Sequence, residues 1–297
     1  MKIRVGFGLG VRTRFVDRSF PDLVDDLERL RFDSLWLSER VTAECPDPVV
    51  ALAVAAGRTT RLKLGMSVMV LPGRNPVLVA KELATLDRLS GGRLLPAFGL
   101  GAVSRAEQQA FGVERGERAA RFDEALGLVR RLGTEDRVDH EGRFFRLEAA
   151  KVRPFPHQSP PDVWLGGAAP AELRRVGRLG DGWLPSFITP EAAAAGRAVV
   201  DDTAAEHGRS IDPEHFGVLL PYSFDPVPDE VLELLPARDP DIDRRRLVAV
   251  GAEQLADRIG EFVDVGFSKF VAVPLGDPVD ATDHLERLAR VVLPLQT

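Results

Sequence analysis

Residues 62–98 read LKLGMSVMVLPGRNPVLVAKELATLDRLSGGRLLPAF, and the order of patterns within them decides the architecture. Residues 62–69 are a short apolar run of the length of a buried strand. Asn75-Pro76 then supplies a side-chain acceptor for the first amides of a helix, followed by a residue whose fixed φ suits the first turn. That helix ends near Leu89 at Ser90-Gly91-Gly92, and residues 94–98 are again a strand. Strand, capped helix and strand make a βαβ unit, with its strands parallel and its helix covering one face.

The same alternation extends in both directions. Upstream lie a strand at 3–8, a helix at 20–30, a strand at 34–37 and a helix at 48–57. Downstream, 107–131 reads as one or two helices. Strands follow at 163–165, 182–185, 216–221 and 270–273, with helices at 171–179, 190–207, 254–265 and 280–292. Eight strands in this order, without a signal for strand-order reversal, predict a closed (β/α)8 TIM barrel; a doubly wound open sheet is the competing topology. Two segments break the rhythm. Residues 137–147 form a β-hairpin turning at Glu141-Gly142, inserted beside the barrel. Residues 225–246 are rich in Pro and Asp, with one helical piece at 229–235, and are expected to cross the active-site face as a lid.

Composition limits the function. The chain has 297 residues, 44% of them apolar, and is expected to fold as a single domain over 1–297. A net charge of −6 from mixed acids and bases gives no basic face for a phosphate backbone, which argues against nucleic acid. The start, Met1-Lys2-Ile3-Arg4, runs into a stretch broken by Gly6, Gly8 and Gly10, unlike a signal peptide or a membrane span, so a cytoplasmic protein is expected. The lone Cys45 permits no disulfide framework. His140, His157, His207, His215 and His284 are scattered, so no metal site is expected, and neither a Gly-x-Ser-x-Gly elbow nor a Gly-Lys-Ser/Thr phosphate loop is present.

In a barrel, chemistry gathers where strands end. Trp164-Leu165-Gly166-Gly167-Ala168-Ala169-Pro170 is a strand, a glycine turn and a helix start, a place where amides and the helix dipole suit a phosphate, although tight packing would use the same glycines. Phe98-Gly99-Leu100-Gly101 is a second glycine-rich exit, lacking the third glycine and the acidic ribose anchor of a dinucleotide site. Ser38-Glu39-Arg40 places two charges at the end of the second strand, either to steer a proton and orient a substrate or as an ordinary surface ion pair.

Asp33-Ser34-Leu35-Trp36-Leu37, Gly73-Arg74-Asn75-Pro76, Leu86-Asp87-Arg88-Leu89-Ser90-Gly91-Gly92-Arg93, Trp164-Leu165-Gly166-Gly167 and Gly180-Asp181-Gly182-Trp183 together resemble the luciferase-like monooxygenase superfamily. Within it the chain is most similar to the branch that depends on the deazaflavin coenzyme F420. The resemblance covers the first two-thirds of the sequence and implies a hydride exchange between F420 and a small-molecule substrate at the barrel mouth. It implies a non-prolyl cis peptide at Ser67-Val68, whose bulge backs the cofactor ring together with Met66, and a cofactor phosphate resting on Gly166, Gly167, Ala168 and Ala169. Gly8, Gly99 and Gly101 complete the expected cofactor set, with Glu39 managing a proton and Arg40 anchoring or polarising the substrate or cofactor. Many relatives carry an acid–His pair where this chain has Glu39-Arg40. A glucose-6-phosphate dehydrogenase of the branch uses a Glu after strand four where this chain has Ser104, which argues against that sugar-phosphate activity. The alternatives are an FMN-dependent monooxygenase, served by a flavin reductase, and a flavin-binding barrel without catalysis. The apolar helices suggest a homodimer.

Overall fold

The computed structural model describes residues 1–13, 19–237, 239–276 and 281–297. Asp280, the expected start of the last helix, and Arg238 within the expected lid lie outside the described residues. The chain opens with β1 (Arg4–Leu9), α1 (Ser19–Leu30), β2 (Ser34–Leu37) and α2 (Pro48–Arg58). Next come β3 (Lys63–Met66), β4 (Met69–Val70), α3 (Pro76–Leu89), β5 (Leu94–Leu95), β6 (Ala97–Gly99), α4 (Arg105–Phe111) and α5 (Arg118–Thr134). A hairpin, β7 (Val138–Glu141) and β8 (Arg146–Ala150), precedes β9 (Trp164–Leu165), α6 (Pro170–Leu179), β10 (Gly182–Trp183) and α7 (Pro190–Glu206). The chain then runs through β11 (Gly217–Ser223), α8 (Asp229–Glu233), β12 (Ala249–Val250), α9 (Ala252–Asp264), β13 (Lys269–Pro274) and α10 (Ala281–Val292).

The parallel ladders run β12-β11-β13-β1-β2-β3-β5 and β10-β9-β6-β4. Two splits join them. β3 and β4 are halves of the third barrel strand, and β5 and β6 are halves of the fourth, parted at Pro96, which has no amide to give. Parallel bridges from Trp183 to Phe216 and from Ser186 to Leu219 tie β10 to β11 and complete the ring. The competing open sheet is therefore excluded. Asn75 caps α3 by accepting from the amides of Val77 (2.9 Å) and Leu78 (3.4 Å), as the sequence predicts.

Several elements differ from expectation. The strand expected at 62–69 is interrupted, because Gly65 pairs with Leu95 while Met69, four residues on, pairs with Phe98, only three on. The third strand thus carries one extra residue, a bulge, at the cis peptide between Ser67 and Val68. Of the one or two helices expected over 107–131 there are two, α4 being closed by Gly112 in the left-handed region (φ 62). In the hairpin Glu141 pairs with Arg146, so the turn occupies the four residues between them rather than Glu141-Gly142. β12, which lengthens the sheet beside β11, has no counterpart in the sequence reading.

Alternation along the strands sorts two cores. Val5, Phe7, Leu9, Leu35, Leu37, Leu64 and Met66 face the helices in the large core. Inward positions form a smaller cluster around Trp36 and Trp164, whose rings meet edge-on at 6.4 Å and 70°. Each ring lies flat on a glycine of the next strand. A methyl group at Gly65 would sit 2.2 Å from the Trp36 ring, and one at Gly182 would sit 2.5 Å from that of Trp164. Gly65→Ala is expected to cost about 1–3 kcal/mol by overpacking, read as a lower urea midpoint at an unchanged slope; an unshifted midpoint would contradict this packing.

The strand starts close the opposite face with charge. Lys269 (3.0 Å) and Lys63 (3.3 Å) bond Asp33. Burial opposes ionisation of Asp33, but the two ammonium groups outweigh it and hold the carboxyl below its usual range. Two of the family-like motifs serve this face. Arg93 donates to carbonyls of Ala56, Thr59 and Leu62 at the end of α2. Asp181 accepts from Arg130, Arg209 and the Val163 amide. Both positions hold the fold rather than the chemistry.

Candidate active site

The C-terminal strand ends surround a cleft of about 510 Å³, within the size range of small-molecule sites. Its walls come from the residues after β1 (Gly10, Arg12), β2 (Ser38, Glu39, Arg40), β6 (Gly99 to Ala102), β9 (Gly166, Gly167) and β10 (Ser186, Phe187). Ser67 and Val68 contribute the bulge.

The bulge is fixed from three sides. Ser38 Oγ donates to the Ser67 carbonyl at 3.0 Å. Glu39 and Arg74 together hold the peptide groups of Val70: its N–H donates to Glu39 Oε2 at 2.6 Å, and its carbonyl accepts from Arg74 Nε at 3.0 Å. Arg74 also pairs with Glu39 Oε1, so both carboxylate oxygens are engaged. Burial pushes the Glu39 carboxyl above its ordinary value, against the opposing pull of Arg74 and the Val70 amide. From the third side, the Val68 side chain wedges between two glycines. A methyl group would lie 2.5 Å from Val68 Cγ2 if placed on Gly99 and 3.0 Å from Val68 Cγ1 if placed on Gly166.

The turn after β9 is also locked. Trp183 Nε1 donates to the Gly167 carbonyl at 2.7 Å. Glu172, in the first turn of α6 and in the cleft wall, reaches back so that its Oε2 accepts from the amides of Ala168 (3.0 Å) and Ala169 (2.8 Å). Residue 169 is the N-cap and is alanine, so it offers no side-chain acceptor of its own. On the next loop Arg118 donates to the carbonyls of Gly101 (2.9 Å) and Ala102 (3.2 Å). Ser104 caps α4 by accepting from the Glu107 amide, and Glu107 binds Thr42 through its amide (2.9 Å) and hydroxyl (2.6 Å). Ser104 is thereby given to structure.

The segment after β11 reaches the mouth. Leu234 and Pro236 line the cleft, Arg12 donates to the Leu234 carbonyl at 2.6 Å, and Leu232, Leu235 and Val248 pack with Phe187 and Leu275. Its helical piece is shorter than the expected 229–235, ending at Glu233.

The expected site residues divide. Glu39, Arg40, Ser67, Val68, Gly99, Gly101, Gly166 and Gly167 meet in one cleft. Glu39 takes Arg74 as its ion-pair partner rather than Arg40, which is exposed at the rim. Met66 is a correction: fully buried, it belongs to the helix-facing core because its register points outward. Gly8 is another, since a methyl group there would meet Val271 and Val273 at 2.8 Å, within the barrel wall and outside the cleft lining. Ala168 and Ala169 stand outside the lining too, and Glu172 holds their amides. Ser38, Arg74 and Glu172 were not read as site residues. Glutamate three positions after an N-cap is the signal that would have found Glu172. Among the described residues no group of three His, Cys, Asp or Glu side chains is placed to hold a metal, and no helix is long and apolar enough to cross a membrane.

The cleft fits a planar, ring-bearing cofactor, because the Ser67–Val68 bulge is displayed in its wall and the glycines of the two neighbouring strands leave room beneath it. In the turn at 166–169 the amides of Ala168 and Ala169, the donors a phosphate would need, are taken by the Glu172 carboxylate.

A family model described as luciferase-like monooxygenase matches residues 9–265. An F420-dependent glucose-6-phosphate dehydrogenase of Intrasporangium calvum is 28% identical, with 95% of each chain covered. The crystal structure of the monooxygenase RslO1 from Streptomyces bottropensis superimposes with a TM-score of 0.81 at 26% identity, over 99% of each chain. An F420-dependent secondary alcohol dehydrogenase in complex with an F420-acetone adduct shares the fold, with a TM-score of 0.85 at 20% identity over the full length of both chains.

Proposed function

This chain belongs to the luciferase-like monooxygenase family, and on that premise we propose that it is an oxidoreductase that binds coenzyme F420 in the cleft and acts on a small organic substrate. The observation that carries the reading is the bulge at Ser67-Val68, clamped by Ser38, Glu39 and Arg74 in the cleft wall. The relative that supports the choice of F420 is the glucose-6-phosphate dehydrogenase similar over nearly the whole chain. When bound, the deazaflavin would supply the hydride chemistry.

The protein's own groups bind, orient and exclude water. The bulge and the glycines at 99 and 166 hold the ring, and Glu39 acts as a positioning residue because both of its oxygens are occupied. Arg40, exposed at the rim, is the cation placed to anchor or polarise a substrate oxygen. The segment carrying Leu234, latched by Arg12, covers the mouth. With Ser104 capping a helix, glucose 6-phosphate is not the substrate we propose.

The second reading, an FMN-dependent monooxygenase, draws on the similarity to RslO1. Absorbance titration with oxidised F420 and with FMN separates the two. Saturable micromolar binding of F420 with weaker binding of FMN is expected; micromolar binding of FMN alone would overturn the proposal.

A further inference from the structure

We propose that Glu172 is a built-in competitor for the phosphate of an incoming cofactor, and so sets which phosphate-bearing ligands the cleft accepts. The inference rests on the reading that a phosphorylated cofactor enters this cleft. Where a phosphate would take the amides that open α6, a carboxylate from the same helix already does: Glu172 Oε2 accepts from both Ala168 and Ala169. Those amides lie at the positive end of a ten-residue helix, so one anion there excludes another by sharing donors and by like-charge repulsion.

The turn is shaped around that carboxylate. Gly167 has φ +97, and a methyl group on it would stand 2.6 Å from the Glu172 carboxyl carbon. Glu172 lines the same cleft as Gly166 and Gly167, so an entering phosphate meets it directly. Binding therefore includes a step in which Glu172 releases the two amides, and affinity for the phosphate is lowered by the cost of that exchange. A ligand without a phosphate leaves Glu172 in place and carries no such cost.

The test compares coenzyme F420 with its phosphate-free deazaflavin chromophore on wild type, Glu172→Ala and Glu172→Gln. Glu172→Ala is expected to bind F420 on the order of tenfold more tightly, the size of one charge-assisted contact, while the phosphate-free chromophore stays within about twofold. Glu172→Gln keeps the side-chain length and an acceptor for the turn, guards against misfolding, and is expected to recover part of the gain. Equal F420 affinity in wild type and both variants would overturn the proposal. Inorganic phosphate supplies a readout independent of the cofactor. It should raise the melting temperature of Glu172→Ala more than that of wild type, even if neither binds a deazaflavin, which would sink the functional reading alone. Identical phosphate shifts in the two proteins would overturn the role of Glu172.

Discussion

Gly99→Ala is expected to weaken F420 binding about five- to 150-fold while leaving the barrel folded, the range that corresponds to about 1–3 kcal/mol of overpacking. The added methyl group would sit 2.5 Å from Val68 Cγ2, and Val68 cannot retreat sideways because Gly166 already stands close to its other methyl. Relief comes by lifting the bulge toward the cleft, into the space proposed for the ring. The clash has one named partner, so Val68→Ala in the same chain is expected to restore much of the affinity. Titration of wild type, the single variant and the double variant reads this directly. Unchanged binding in Gly99→Ala would show that the bulge does not bear on the cofactor, and a loss that Val68→Ala leaves untouched would show that the contact is not the cause.

The second large effect concerns Arg74. Its partner Glu39 has a side chain only 5% exposed, against 23% for Arg74. Arg74→Ala leaves a buried carboxylate without its cation and removes the donor to the Val70 carbonyl, at an expected cost of about 3 kcal/mol of unfolding free energy. Removing both partners is expected to cost less than the two separate losses combined, with about 1–3 kcal/mol of coupling between them in a double-mutant cycle. Additive losses would contradict the clamp. Acidification tests the same pair. Because burial holds the Glu39 carboxyl above its ordinary value, it takes up its proton earlier as pH falls. F420 affinity is expected to drop with that protonation in wild type and to respond less in Glu39→Gln.

The barrel was legible because its evidence is local. Asn75-Pro76 starts α3, Gly91-Gly92 follows its end, and the apolar runs on either side are strands. The interruption at Ser67-Val68 was not readable from hydrophobicity, since a continuous run and a bulged one have the same composition; resemblance to the family located it. Met66 entered the expected cofactor set only through the resemblance; its neighbour Gly65 faces the Trp36 ring, so alternation along the strand turns Met66 toward the helices. The partnership of Glu39 with Arg74 spans 35 residues and leaves no local trace, whereas the adjacent Arg40 points away because neighbouring residues at a strand end face opposite sides. Glu172 was not legible because the glycines before it suit a phosphate as well as they suit the carboxylate that the chain itself supplies to the Ala168 and Ala169 amides.

A crystal structure of the protein with oxidised F420 bound tests most directly whether the Ser67–Val68 bulge carries the ring of the cofactor. The deazaflavin ring is expected to pack against the Ser67–Val68 peptide; a ring bound away from that peptide, or outside the cleft, would contradict that role.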